Sequence, residues 1–167
     1  MEQVKFIWTD CNSADFRSFY LKTEEYYNRI VGGSENRKAF MPHNVSESVT
    51  VVLIAYLDDT AIGCGGYKRY SDGDAEIKRV WVEPEYRGQH IASRMIIMLE
   101  EKAKEKGFRR MILQTRQIMP DAVKLYEKLG YDVRDYLNIA SGNDITVIVD
   151  LIKEDALNLR SVKSVEK

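Results

Sequence analysis

The sequence has few of the residues that stabilise domains lacking a large hydrophobic core. It contains 2 cysteines, Cys11 and Cys64, and 2 histidines among 167 residues. Disulfide-bonded domains carry several pairs of cysteines, and a structural zinc site needs four closely spaced Cys or His ligands. We therefore expect neither a disulfide framework nor a bound metal.

Long apolar runs and an excess of one charge are also lacking. No stretch approaches the roughly 18 apolar residues of a membrane-spanning helix, and Met1–Lys5 does not begin a signal peptide. The 25 Lys and Arg residues and 26 Asp and Glu residues leave a net charge of −1, whereas proteins that bind nucleic acid through its phosphates usually carry a basic excess. The sequence therefore predicts a cytoplasmic protein with no membrane or nucleic-acid partner.

The chain does contain a regular alternation of strand and helix patterns within the length of one domain. The predicted strands are Val4–Trp8, Val49–Leu57, Ala61–Tyr70, Glu76–Val82, Arg110–Gln114, Tyr131–Asp135 and Ile145–Leu151. The predicted helices lie between Ser13 and Gly32, over Gln89–Lys106, and between Pro120 and Gly130. Residues 34–48 are interpreted as a loop or short helix, and residues 153–167 as a charged tail behind a domain over residues 1–152.

This order, β-α-β-β-β-α-β-α-β-β, predicts an α+β domain with a single mixed, mostly antiparallel sheet flanked by helices. Apolar residues at helical spacing mark the faces of the first two helices that should pack on that sheet. They are Phe16, Phe19, Tyr20, Tyr27 and Ile30 in the first helix, and Ala92, Met95, Ile96, Leu99 and Ala103 in the second.

The first candidate site is the connection between the strand that ends at Val82 and the second helix. Unpaired N–H groups and a partial positive charge at a helix N-terminus suit a phosphate. The segment lacks the Gly-Lys-Ser/Thr ending of a Walker A loop, and its single glycine, Gly88, does not make a dinucleotide fingerprint. A plain strand-to-helix connection is the alternative interpretation.

Local charge gives a second candidate. Residues 102–128 contain 8 basic and 3 acidic side chains, a net of +5 within a chain of net charge −1. Such a basic field could hold a phosphorylated ligand beside the loop. The alternative is a solvated helix face.

Tyr126 and Glu76 are the candidate catalytic side chains. A partly buried phenol such as Tyr126 can donate a proton to a leaving group, although a core tyrosine is the alternative. Glu76 could act as a general base, directly or through a water. It could equally be an exposed strand residue, or the ion-pair partner of Lys78 on the same face. Cys64, between two glycines, is expected to be a small core residue rather than a nucleophile.

Two motifs resemble those of the Gcn5-related N-acetyltransferase (GNAT) family. The segment Arg87–Ala92 reads Arg-Gly-Gln-His-Ile-Ala and is similar to the family's Gln/Arg-x-x-Gly-x-Gly/Ala loop. The segment Pro120–Tyr131 is similar to the family's Ala-x-x-Leu-Tyr-x-Lys-x-Gly-Phe/Tyr motif. The predicted order of elements from Val4 to Leu151 also matches the GNAT fold.

The resemblance implies an acetyl-CoA-dependent N-acetyltransferase that moves an acetyl group to a primary amine of a small molecule or peptide by direct attack. It places the pyrophosphate on the loop amides and the pantetheine arm along the strand backbone, where a bulge separates two parallel strands. The implied cofactor-binding residues are Val80, Trp81, Val82, Arg87, Gly88, Gln89, His90, Ile91, Ala92, Ser93 and Lys128. Tyr126 would protonate the departing thiolate, and Glu76 would serve as the base or hold a water. Many relatives dimerise, so a homodimer is one expected state.

One position departs from the family pattern, because His90 stands where the motif has its middle glycine. Glycine lets the backbone approach a phosphate closely, whereas a histidine keeps the amide but needs an allowed φ and room for its ring. This departure favours an alternative function, an acetyl-CoA or CoA-binding module with weak or no catalysis. A longer acyl group or a hydroxyl acceptor is a third possibility. Candidate residues for one wall of the acceptor pocket are Tyr20, Tyr27, Phe40 and His43.

Overall fold

A computed structural model describes residues 3–31, 48–116, 120–135 and 144–150. Seven strands and three helices occur within these ranges. The strands are β1 (Val4–Thr9), β2 (Val51–Leu57), β3 (Thr60–Arg69), β4 (Asp74–Val82), β5 (Arg110–Arg116), β6 (Asp132–Asp135) and β7 (Asp144–Asp150). The helices are α1 (Ala14–Val31), α2 (Ile91–Glu105) and α3 (Pro120–Lys128), and a 3₁₀ turn at Pro84–Tyr86 precedes α2.

The strands form one sheet in the order β1-β2-β3-β4-β5-β7-β6. Among the described strands, β4 and β5 pair in parallel and all other neighbours are antiparallel. Parallel pairing requires a crossover, and α2 supplies it by running back from the end of β4 to the start of β5. The predicted element order and the mixed, mostly antiparallel sheet are therefore confirmed.

Helices pack on both faces of the sheet over separate apolar clusters. Phe16 and Phe19 of α1 pack with Val52, Ile54 and Cys64 on what we call the α1 face. On the α2 face, the buried residues of α2 are Ile91, Met95, Ile96, Leu99 and Ala103. The predicted stripe is thus confirmed except at Ala92, which is half-buried because the helix turns Ile91 toward the sheet instead.

The ends of several elements are determined by local interactions rather than by the spacing of apolar residues. Ser13 caps α1 by accepting a hydrogen bond from the Phe16 N–H at 3.2 Å. Helix α2 begins at Ile91 rather than Gln89, because His90 has a left-handed φ of 63° that a right-handed helix cannot contain. Strand β5 continues to Arg116, beyond the predicted end, because it pairs with β7 over its full length. The segment 34–47, the tail 153–167 and the side chains of Tyr27 and Ile30 lie outside the described residues.

Candidate active site

Strands β4 and β5 separate near their middle and leave a slot in the sheet. Their parallel register ends at Glu76 opposite Ile112. Beyond that point β4 continues to Val82, whereas β5 continues to Arg116 in register with β7. The β5-facing edge of β4 at Val80–Val82 therefore has no strand partner in β5, and an extended ligand can pair with it there.

A β-bulge at Arg79 accompanies this separation. Gly66 of β3 pairs with Lys78 and Cys64 pairs with Trp81, so β4 carries one residue more than β3 between these pairs. Arg79 has a left-handed φ of 59°. Bulges bend a strand and increase its twist, which explains why β4 leaves the line of β5. The strand separation and bulge that the resemblance implied are both present.

The loop after β4 is held against the end of that strand. Arg87 donates a hydrogen bond from Nε to the carbonyl of Val82 at 2.8 Å, and its guanidinium lies 4.8 Å from the centroid of the Trp81 ring. Gly88 and His90 both adopt left-handed φ values, 81° and 63°. A Cβ at Gly88 would meet nothing within 4 Å, so its conformation rather than space accounts for the glycine.

The start of α2 suits an anion. The first N–H groups of a helix have no partner within the helix and carry a partial positive charge. The first turn of α2 contains no acidic residue, and the His90 side chain does not cap it. Gln89 and His90 are exposed, Ile91 is buried, and Ala92 and Ser93 are half-buried. The backbone of the predicted phosphate loop therefore fits the group it was predicted to bind.

Glu76 is buried at the base of the slot. Its residue is 3% exposed, so the interpretation as an exposed strand glutamate is wrong. Lys78 Nζ lies 3.2 Å from one carboxylate oxygen of Glu76 and Lys68 Nζ lies 3.9 Å from the other, which confirms the ion-pair interpretation. Burial lowers the pKa of Lys78, partly offset by the carboxylate of Glu76. All three side chains lie on the α1 face.

Tyr126 lies on the opposite face of the sheet. It is 5% exposed within the α2-face cluster, and its ring packs edge-on against Tyr131 at 5.3 Å between centroids. Burial raises the pKa of Tyr131. Lys128, at the end of α3, is exposed. Glu76 and Tyr126 therefore lie on opposite faces of the sheet, Glu76 where the parallel register of β4 and β5 ends and Tyr126 on the helix that packs against β6.

The first half of the basic segment, residues 102–110, does not lie beside the loop, so the prediction is wrong for these residues. Arg110 pairs with Asp74 at the start of β4, whereas the loop follows the end of that strand. Helix α2, with 15 residues, separates Lys102–Lys106 from its own N-terminus by up to about 20 Å. Several of these charges are also paired, with Arg110 Nε 2.8 Å from Asp74 and Lys102 3.8 Å from Glu105.

Sequence analysis missed a buried polar cluster around Arg79. Arg79 is 7% exposed and contacts Tyr20, Thr23 and Glu24 of α1. The signal in the sequence was a second basic residue directly after Lys78. In a regular strand, neighbouring side chains face opposite sides of the sheet, so Arg79 would lie on the α2 face. Cys64 is buried, as predicted, and burial raises the pKa of its thiol.

No group of three or more His, Cys, Asp or Glu side chains within the described ranges is arranged to hold a metal ion. None of the helices in that part of the chain is long and apolar enough to cross a membrane.

Comparison with known proteins connects this geometry to a family. The family model described as the acetyltransferase (GNAT) family matches residues 6–131. An uncharacterised N-acetyltransferase of Escherichia coli is 32% identical over 78 residues, which are 45% of this chain and 47% of that protein. The IAA acetyltransferase of Azospirillum brasilense is 31% identical over 80 residues, 47% of this chain and 52% of that protein. The matched region thus spans about half the length of these curated relatives.

Solved structures show the same fold. The PaiA N-acetyltransferase of Thermoplasma acidophilum, solved in complex with coenzyme A, aligns with a TM-score of 0.69 and 17% identity. The alignment covers 89% of this chain and 99% of that one. The overall fold is therefore shared with a protein whose structure contains coenzyme A.

Proposed function

Because this chain belongs to the acetyltransferase (GNAT) family, we propose that it transfers an acetyl group from acetyl-CoA to a primary amine of a small molecule or peptide. The observation that carries the proposal is the continuous path from the β4–β5 slot, through the left-handed residues Gly88 and His90, to the open N-terminus of α2. One end of this path fits an extended amide-bearing chain, and the other end fits an anion.

The cofactor follows that path in our proposal. Backbone amides from Gly88 to Ser93 hold the pyrophosphate, while Val80–Val82 offer the edge of β4 to the pantetheine arm. Acetyl-CoA supplies the acetyl group as a reactive thioester. Arg87 contributes indirectly, because its contacts with Val82 and Trp81 fix the loop relative to the strand.

The two faces of the sheet divide the acid and base roles. Glu76, held in place by Lys78, accepts the proton of the amine directly or through a water on the α1 face. A strand amide near Val82 polarises the carbonyl as the amine attacks. Tyr126 donates a proton to the departing sulfur from the α2 face. Since a thiol has a pKa of about 8.5 and a phenol about 10, this proton assists departure without being obligatory.

A panel of polyamines, small amines, amino acids and peptide N-termini tests the proposal when incubated with protein and acetyl-CoA. We expect thiol release that requires one class of amine and exceeds the rate without protein. Thiol release that no amine increases, despite calorimetric binding of acetyl-CoA, would contradict catalysis.

The left-handed φ of His90 favours one second candidate, a CoA-binding or sensing module. A β-carbon and an imidazole ring at this position add bulk where the motif has none, and this could weaken the approach of a phosphate. The same assay separates the two functions, because a binding module gives calorimetric binding without amine-dependent thiol release.

A further inference from the structure

Arg79 combines burial, charge and an unfavourable backbone conformation in the middle of β4. It is 7% exposed and has a φ of 59°. Residues other than glycine rarely adopt this conformation, and they keep it only where their surroundings fix it. The contacts that hold Arg79 in this conformation therefore indicate which elements fix the position of the bulge.

The side chain of Arg79 is fixed by one helical segment of α1. Nη1 donates a hydrogen bond to Thr23 Oγ1 at 2.9 Å, and Nη2 forms an ion pair with the carboxylate of Glu24. The guanidinium also lies 4.2 Å from the centroid of the Tyr20 ring. Thr23 is fully buried, and its hydroxyl donates to the carbonyl of Tyr20 at 2.9 Å. Arg79 thus contacts three residues of α1 through one planar group.

The backbone of the bulge is held from the other side. The thiol of Cys64 on β3 donates to the carbonyl of Arg79 at 3.2 Å. Beyond the bulge, Trp81 packs edge-on against Tyr26 at 5.3 Å between centroids, and Glu83 forms an ion pair with Lys22. Helix α1 is therefore attached at three successive points, two on β4 beyond its register with β5 and one directly after the strand ends.

We propose that Arg79 is a positioning residue that sets the distance between α1 and the slot, and with it the alignment of the acceptor amine with the acetyl group. This inference rests on the proposed function, in which β4 beyond the bulge holds the cofactor and the acceptor binds on the α1 face. Arg79 contacts neither reactant in this proposal. It acts through α1 and the bulge, which it joins.

A simpler alternative is that the side chain of Arg79 has no positioning role, and that any residue that tolerates a positive φ would form the same bulge. Two substitutions separate these roles. Arg79→Gly suits the φ but removes every contact with α1, whereas Arg79→Lys keeps a cation that can reach Glu24 but loses the planar group. Asp58→Gly is the matched control, because Asp58 has a φ of 52° in the exposed β2–β3 turn.

The experiment measures kcat and KM for the most active amine of the panel, together with the calorimetric Kd for CoA. Since a displacement of about 1 Å can cost about 100-fold in rate, we expect Arg79→Gly to lower kcat/KM for the amine about tenfold or more, and to change the Kd for CoA less than about twofold. Arg79→Lys should recover part of the loss, and Asp58→Gly should match the wild type. Thr23→Val and Glu24→Gln, which each remove one contact, replace Arg79→Gly if that variant does not fold.

Hydrogen exchange gives a second readout that does not depend on turnover. When CoA binds the wild type, we expect slower amide exchange both in the loop before α2 and in α1. In Arg79→Gly the protection of the loop should persist and that of α1 should disappear. This exchange measurement tests the contact between the bulge and α1 even if no amine supports turnover. A lack of turnover would count against the proposed function but not against this contact.

The proposal is overturned by any of four results. Arg79→Gly could turn over the amine as the wild type does, Asp58→Gly could lose as much activity as Arg79→Gly, or CoA could protect α1 equally in wild type and Arg79→Gly. Loss of CoA affinity in parallel with kcat/KM would also contradict it, because that pattern indicates a disrupted cofactor site.

Discussion

At the scale of the residue, His90 shows how one backbone conformation accounts for an unusual motif. Its φ of 63° lies in the region that the motif's glycine adopts readily, so the loop keeps its shape although the side chain differs. The backbone amide of His90 stays available, and the cost is conformational.

We therefore predict different effects for two substitutions of His90. His90→Gly should be at least as stable as the wild type, and His90→Ala should be less stable than His90→Gly by about 1 kcal/mol, because a Cβ is disfavoured at this φ. Urea denaturation measures both values. Equal stability of the two variants would mean that the residue does not hold a left-handed conformation in solution.

Tyr126 provides a chemical test at the same scale. Tyr126→Phe keeps the ring that packs on Tyr131 but removes the proton that assists the departing sulfur. We expect turnover to fall about tenfold or more because the general acid is lost, while calorimetric binding of CoA persists. The matched control is Tyr131→Phe, a buried neighbouring phenol without a proposed role, which should keep wild-type turnover. Equal turnover of Tyr126→Phe and wild type would remove the acid role.

At the scale of the element, the short parallel register of β4 and β5 determines where the slot opens. Three residue pairs join the strands, beginning with Asp74 and Arg110. The guanidinium of Arg110 donates two hydrogen bonds of 2.8 Å to the Asp74 carboxylate. This pair fixes the closed end of the two strands, from which the open end diverges.

This pair predicts a pH-dependent contribution to stability. Arg110 lowers the pKa of Asp74, so the contribution is fully present above the unfolded value of about 3.9 and is lost as pH falls through the lower native value. We expect Asp74→Asn to lower the free energy of unfolding by about 1 kcal/mol at pH 7, since Arg110 is partly exposed to solvent. The difference from wild type should shrink below pH 4.

The control for this prediction is Asp72→Asn, which changes an exposed carboxylate in the adjacent turn. Denaturation at pH 7 should not distinguish it from the wild type. A loss of stability in Asp74→Asn that is as large at pH 3 as at pH 7 would show that the charge of Asp74 is not the source of the effect.

At the scale of the whole molecule, local patterns predicted the fold and the position of the strand-to-helix loop, whereas the location of distant charges was predicted wrongly. The strand and helix periods gave the element order because each element buries one face or stripe. The net charge of residues 102–128 led to a wrong prediction because the basic residues of α2 lie at its C-terminal end, far from the loop that precedes its N-terminus. Linear sequence does not show this separation.

The polar cluster around Arg79 shows another feature that the sequence alone could not predict. A bulge shifts the alternation of a strand by one residue, so Lys78 and Arg79 both face α1 although they are adjacent. The shift depends on the register with β3, which is a long-range property. For the same reason, the burial of Glu76 followed from its place in the sheet rather than from its sequence neighbours.

Our proposal that this chain catalyses acetyl transfer to an amine is best tested by measuring both products of one reaction. The wild-type protein is incubated with acetyl-CoA and the most active amine, and free CoA thiol is compared with the amount of acetylated amine found by mass spectrometry. We predict equal amounts of the two products, both dependent on protein and amine. Tight binding of acetyl-CoA without acetylated amine above the protein-free rate would contradict the account.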